Sequence, residues 1–162
     1  MNFMSGHSKI RRIATGDLTN TMAGLIGEHI AAAAILQAGW GVAMAQQDSV
    51  DLVAFNKVTG QRLLVQVKSC QSSLRGDAKM SFTIGLGGVK QPDGTKKKRM
   101  PNPTDYDILA LVSSEHRSCY FMPVTALKYQ KITRAISYFT DPHMEVESWE
   151  EAVRIINEKS TK

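Results

Sequence analysis

Cysteine, histidine and long apolar runs are all scarce in this chain, and each scarcity excludes a class of protein. The two cysteines, Cys70 and Cys119, form no Cys-x-x-Cys pair, so no disulfide framework is indicated. The four histidines are scattered and give no zinc-site spacing. No apolar run approaches the length of a membrane span, and the N-terminus lacks the apolar segment of a signal peptide. These absences predict a protein of a reducing, cytoplasmic compartment.

Basic residues are in excess and unevenly distributed. The 162-residue chain has the length of a single domain, 1–162, and a formal net charge of +5, which suits a polyanionic partner. Residues 85–104 are rich in glycine and proline, and they predict a long basic loop, while residues 1–16 predict a mobile arm. The charge run is either a solvated surface or a set of phosphate contacts, and its members are Lys90, Lys96, Lys97, Lys98 and Arg99.

Two polar side chains interrupt an apolar strand pattern at residues 63–69. Apolar and β-branched residues dominate this stretch and a turn signal precedes it, which predicts a strand. Because strand side chains alternate between faces, Gln66 and Lys68 project from the same face. An ammonium group in apolar surroundings is costly unless it is paired or used. Lys68 is therefore a candidate functional residue, the alternative being an edge-strand lysine that prevents aggregation.

A glutamate lies within a predicted helix over residues 20–38. Asn20 or Thr21 is the expected N-cap of this helix, and Gly39 ends it. Apolar side chains occur on nearly every side, so we expect the helix to be buried nearly all round, with a main face formed by Met22, Leu25, Ile26, Ile30, Ala33 and Ala34. Glu28 lies on the second apolar side, where it either opens to solvent or requires a cation, a donor network or a metal.

An aspartate lies within the next apolar strand, predicted over residues 50–55. Aspartate is uncommon in strands, so Asp51 either caps the preceding turn or has a chemical role. Adjacent antiparallel strands would bring Asp51 close to Gln66. The remaining pattern predicts strands over 42–45, 80–84, 106–112 and 118–122, a short helix within 123–131, and a C-terminal helix over 148–158 capped by Ser148.

Together these residues suit metal-assisted hydrolysis of a phosphodiester. Magnesium prefers oxygen ligands, and carboxylates supply the balancing charge. Asp51 is the expected principal ligand, and Glu28 holds the metal or its water shell. The carbonyl oxygen of Val67 and the amide oxygen of Gln66 are further candidate ligands. Lys68 would stabilise charge on the phosphate or position the attacking water.

The arrangement of Glu28, then Val50-Asp51-Leu52, then Gln66-Val67-Lys68 resembles the PD-(D/E)XK nuclease superfamily. The Gln-Val-Lys-Ser form is similar to that of the superfamily's group I intron-encoded homing endonucleases, and the resemblance extends over roughly residues 22 to 130. Two positions depart from the usual pattern: Gln66 replaces an acidic residue, and Val50 replaces the proline before the aspartate.

The resemblance implies a restriction-endonuclease-like α/β core with a central mixed β-sheet flanked by helices. It also implies cleavage of double-stranded DNA with Mg²⁺ or Mn²⁺, contacts from the basic loop to DNA, a dimer or tetramer, and an origin in a phage or mobile element. Two alternatives use the same fold. One is a resolvase of Holliday junctions or other branched DNA, and the other is a DNA-binding module without catalytic activity.

Overall fold

The computed structural model describes residues 19–47, 49–71 and 78–160. The predicted mobile arm, residues 1–16, lies outside this part of the chain. The helices and strands of the described residues are α1 (Asn20–Gln37), β1 (Gly41–Gln47), β2 (Val50–Phe55), β3 (Arg62–Cys70), β4 (Lys79–Thr83), β5 (Leu86–Lys90), β6 (Lys96–Arg99), β7 (Ile108–Ser113), β8 (Ser118–Pro123), β9 (Lys131–Ala135), α2 (Ser137–Thr140) and α3 (Met144–Ser160).

A five-stranded mixed sheet forms the centre, in the order β1-β2-β3-β7-β8. The β3–β7 pair is parallel, and the other three pairs are antiparallel. Helices α1 and α3 pack on one face over a core that includes Trp40 and Trp149. The β4–β9 pair and α2 cover the other face around Leu109 and Leu111. The predicted α/β core, a central mixed sheet flanked by helices, is confirmed.

Helix α1 contacts the sheet through small residues, and the prediction that it is buried nearly all round is wrong. Its buried face carries alanine, glycine and a single larger residue, Ile35. Four members of the predicted main apolar face are exposed instead: Met22 by 51%, Leu25 by 49%, Ile26 by 40%, and Ala33. Small side chains allow a helix to lie close to a sheet. The pattern of larger apolar residues therefore does not indicate which face of α1 packs on the sheet.

The N-cap of α1 lies one residue before the expected position, and α3 begins earlier than expected. Thr19, rather than Asn20 or Thr21, caps α1 by accepting a hydrogen bond from the amide of Met22 at 3.2 Å. The predicted end at Gly39 is confirmed, with a φ of 83°. In α3, Ser148 lies inside the helix instead of capping it, and its hydroxyl accepts from the amide of Phe121.

The segment predicted as a long basic loop contains a two-stranded antiparallel ribbon, β5–β6. Its turn is Pro92-Asp93-Gly94, closed by hydrogen bonds from the Gly94 amide to the Gln91 carbonyl and from the Thr95 amide to the Asp93 side chain. The short helix expected within 123–131 is a single 3₁₀ turn, Val124–Ala126, and the strand β9 that follows was not predicted. No helix in the described chain is long and apolar enough to cross a membrane.

Candidate functional site

The site lies where strands β2 and β3 separate. Backbone pairing runs from Phe55 opposite Arg62 to Leu52 opposite Val65 and goes no further. Beyond that point the Asp51 side chain replaces the backbone as hydrogen-bond acceptor. Its Oδ2 atom accepts a hydrogen bond from the Val67 amide at 2.6 Å. The same oxygen accepts a hydrogen bond from the side-chain amide of Gln66. The expected proximity of Asp51 and Gln66 is therefore confirmed.

The Gln66 side chain has a defined orientation in this arrangement. Gln66 is 6% exposed, and its amide nitrogen donates to Asp51 and, at 3.2 Å, to the carbonyl oxygen of Val67. With the nitrogen engaged in this way, the amide oxygen is the atom left to meet a cation. Gln66 therefore holds the Asp51 carboxylate in place and still presents one oxygen donor.

Helix α1 brings the second carboxylate to the same place. At Gly27 the helix passes so close to β3 that an added Cβ would lie 1.7 Å from the Ser69 hydroxyl oxygen. Any side chain at Gly27 would have to displace Ser69 or the helix. The next residue, Glu28, lies at the split between the strands. Glu28 and Asp51 repel each other, which is one cause of the raised pKa of Glu28.

An open cleft of about 410 Å³ joins the predicted residues. The four predicted catalytic side chains line it together with Val67, and they are Glu28, Asp51, Gln66 and Lys68. Three further polar side chains line the cleft beyond the predicted set, those of Asn20, Ser69 and Gln71, together with Ala23 and Gly24. Asn20 precedes Glu28 by eight residues, two turns of a helix, so helical periodicity could have indicated it. Nothing in the sequence singles out Gln71.

Burial dominates the electrostatics of both carboxylates. It raises the pKa of Asp51 above 3.8, against the opposing effects of the Val67 amide, the Lys68 ammonium and the Gln66 amide. Burial also raises the pKa of Glu28 above 4.5, and the negative charge of Asp51 adds to that shift. Two ionised carboxylates in a half-buried cleft therefore lack sufficient compensating charge.

The donor set fits a hard divalent cation. Asp51 keeps its Oδ1 atom outside the hydrogen bonds described above, and Glu28 and the Gln66 amide add oxygen donors. A dication would stabilise the ionised form of Glu28, which burial and the negative charge of Asp51 disfavour. Among the described residues no group of three or more Asp, Glu, His or Cys side chains could hold a metal, and the two carboxylates would need neutral oxygen ligands beside them.

The predicted DNA-binding residues lie apart from this cleft, on the β5–β6 ribbon. All four residues of β6 are exposed, as is Lys90 on β5. Arg99 differs from the lysines, because its guanidinium forms a bidentate ion pair with Asp105, at 2.7 Å and 2.5 Å.

These features define an α/β protein with a mixed sheet and a two-carboxylate cleft at a strand split. Among solved structures the fold is similar to that of a bacterial homing endonuclease, I-Ssp6803I. The TM-score is 0.61 and the sequence identity is 22%, over 89% of this chain and 97% of that chain. No protein-family model and no curated protein matches the chain. The structural likeness establishes the fold.

Proposed function

We propose that this protein is a metal-dependent DNA endonuclease of the homing or mobile-element type, and a member of the PD-(D/E)XK superfamily. The observation that carries the proposal is the cleft itself, where Glu28, Asp51, Gln66 and Lys68 come together from one helix and two strands. The fold similarity to a protein described as a homing endonuclease supports the same function.

Each residue of the cleft has a distinct role in this proposal. Asp51 and Glu28 hold Mg²⁺ or Mn²⁺, with the oxygens of Gln66 and Val67 as additional donors. The metal, when bound, polarises the scissile phosphate and lowers the pKa of a water molecule. Lys68 places its ammonium group where the phosphate gains negative charge. Gln66 keeps the Asp51 carboxylate oriented through its hydrogen bond.

Double-stranded DNA is the proposed substrate, bound in part by the basic ribbon. All five ribbon side chains that were candidates for phosphate contact are exposed on one two-stranded element. Because cutting both strands of a duplex requires two cleavage centres, we also propose a homo-oligomer, a dimer or tetramer. The exposed apolar stripe on α1, formed by Met22, Leu25, Ile26 and Leu36, is the surface proposed for contact with a second copy.

The test compares metal binding and DNA cleavage in four proteins: wild type, Asp51→Ala, Lys68→Ala and the control Lys57→Ala. Lys57 lies in the turn at the other end of the β2–β3 pair, so its loss removes the same charge far from the cleft. Mg²⁺ should raise the unfolding temperature of wild type, Lys68→Ala and the control but not that of Asp51→Ala.

Cleavage is then measured with Mg²⁺ on supercoiled plasmids that carry a random insert library. Wild type and Lys57→Ala should cut, Lys68→Ala should be slower by about 10² to 10³-fold, and Asp51→Ala should be inactive. Equal cutting by Asp51→Ala and wild type would contradict the proposal.

The same assay distinguishes the two alternative functions. A branched-DNA resolvase would cut four-way junctions in preference to linear duplex with the same residue dependence. A silent DNA-binding module would bind duplex without nicking any substrate in Mg²⁺ or Mn²⁺, and the replacement of an acidic ligand by Gln66 is the feature that favours it.

A further inference from the structure

The β5–β6 ribbon stands apart from the central sheet. It is a separate two-stranded unit, and neither strand pairs with a strand of the five-stranded sheet. A two-stranded ribbon fits the major groove of B-form DNA, which is about 12 Å wide, but not the minor groove, at about 6 Å.

Within the ribbon, like charges face each other. Lys90 of β5 is directly opposite Lys96 of β6, and Lys97 and Lys98 follow on the same strand. Like charges at directly opposed positions destabilise a strand pair. A polyanion placed against the ribbon would offset that repulsion, so the arrangement favours a phosphate-rich partner.

Arg99, the last residue of the ribbon, is held by the protein itself. Its guanidinium pairs with Asp105, whose side chain is only 9% exposed. Asp105 also accepts a hydrogen bond from the Asn102 amide at 2.9 Å. The pair uses two of the five N–H donors of the Arg99 guanidinium, and a third donates to the Met100 carbonyl at 3.3 Å, so the protein itself orients the group.

A short stretch of chain and two hydrogen bonds lead from this ion pair to the strand that carries Gln66. Two residues after Asp105, the Asp107 carboxylate accepts a hydrogen bond from the Leu64 amide at 2.7 Å, and the Asp107 amide donates to the Leu64 carbonyl at 2.9 Å. Leu64 precedes Gln66 by two residues on β3. A second brace holds the ribbon, because the Gln130 side chain donates to the Lys98 carbonyl at 2.8 Å.

We propose that the β5–β6 ribbon enters the major groove of double-stranded DNA, and that Arg99 positions the ribbon through Asp105 instead of contacting DNA. Lys90, Lys96, Lys97 and Lys98 then supply the phosphate contacts. The inference rests on the proposed function, because it requires that the protein bind DNA. It assigns to Arg99 a role that differs from the DNA contact expected from the sequence.

The decisive variant is Asp105→Asn, because the two possible roles of Arg99 predict opposite changes in the affinity for duplex DNA. If Arg99 positions the ribbon, losing the carboxylate weakens duplex binding, by up to about fivefold, although the protein becomes more positive. If Arg99 contacts a phosphate, the same change strengthens binding. Glu150→Gln on α3 is the matched control, since it removes one negative charge far along the chain from the ribbon.

The salt dependence of binding provides the second measurement. Lys97→Ala should reduce the slope of log K against log salt by about 0.9, the effect of one lost phosphate contact. Arg99→Ala and Arg99→Lys should both weaken binding as Asp105→Asn does and leave the slope unchanged, because lysine cannot form the bidentate pair. The double variant Arg99→Ala/Asp105→Asn should be no weaker than either single variant. Unfolding temperatures identify any variant that fails to fold.

The groove is tested with modified duplexes. Methylation of guanine N7, which lies in the major groove, should interfere with binding, and a ligand that fills the minor groove should not compete. The reverse pattern would overturn the groove assignment. Tighter binding by Asp105→Asn, with a reduced slope for Arg99→Ala, would overturn the role of Arg99. A wild-type protein that binds no duplex at all would instead refute the proposed function.

Discussion

A single aspartate joins the two strands at the cleft and connects the fold to the proposed chemistry. The Asp51 carboxylate replaces a backbone partner for the Val67 amide where β2 and β3 part. It can do so only while it remains an acceptor, so its hydrogen bonds oppose the effect of burial on its pKa. Burial is nevertheless the larger effect, and the folded protein therefore retains the Asp51 proton more strongly than the unfolded chain does.

The raised pKa gives a stability prediction with a definite sign. A carboxyl group that binds its proton more tightly in the folded state opposes folding once the pH exceeds its ordinary pKa of 3.8, and does so fully above the raised value. We therefore expect Asp51→Asn to raise the unfolding temperature near pH 7.5 without metal, and to have no such effect at about pH 3. Mg²⁺ should stabilise wild type and not this variant.

Asp93→Asn is the control for this measurement, because the pKa of Asp93 is shifted in the opposite direction to that of Asp51. Hydrogen bonds from Thr95 lower the pKa of Asp93, so its ionised form favours folding. The substitution should not raise the unfolding temperature near neutral pH. A fall in stability for Asp51→Asn under the same conditions would mean that its hydrogen bonds outweigh burial.

At the scale of elements, the contact between α1 and β3 sets the position of Glu28. The helix can lie this close only because Gly27 has no side chain facing Ser69. Gly24, one turn earlier, also lines the cleft, but nothing lies within 4 Å of the position its Cβ would occupy. The two glycines therefore allow a matched comparison. Both lie in α1, but only Gly27 is in close contact with β3.

We expect Gly27→Ala to destabilise the protein by about 1–3 kcal/mol, because the added carbon must displace the Ser69 side chain or the helix. Gly24→Ala should be neutral or stabilise by about 0.5–1 kcal/mol, the gain from removing glycine within a helix. Urea unfolding of both variants measures the difference. Adding Ser69→Ala to Gly27→Ala should recover part of the loss, and equal stability of the two glycine variants would contradict the close contact.

The elements around the cleft were predictable because local chemistry specifies them. The turn at Asn56 to Gly60 joins two apolar strands, and such a hairpin fixes which residues of β2 and β3 meet. The ribbon was not predictable in this way, because the consecutive basic residues of β6 show no alternation of apolar and polar side chains. The buried face of α1 was also hidden, because a helix with apolar residues on most sides does not reveal which side meets the sheet.

At the scale of the whole molecule, an apolar stripe remains uncovered along α1. Met22, Leu25, Ile26 and Leu36 are between 40% and 56% exposed, and their spacing places them on one side of the helix. The stripe is the surface proposed for self-association.

Leu25→Glu should therefore convert the proposed oligomer into a monomer, because it places a charge within the contact. Val58→Glu is the control: Val58 is 95% exposed in the turn between β2 and β3, so the same charge change there should leave the assembly intact. Sedimentation velocity over a range of concentrations gives the molar mass of each protein. A wild-type protein that is monomeric at every concentration would contradict the proposed contact.

Because the ribbon strands pair only with each other, the ribbon can vary in sequence independently of the central sheet. The β5–β6 pair forms between β4 and β7 as one uninterrupted stretch of chain, and its strands pair with each other and not with the central sheet. Its length and composition can change without loss of a single hydrogen bond of the central sheet. If the protein cuts DNA and the ribbon recognises it, as proposed, a lineage can acquire new target sites by altering this insertion alone, while the proposed cleavage centre is inherited unchanged.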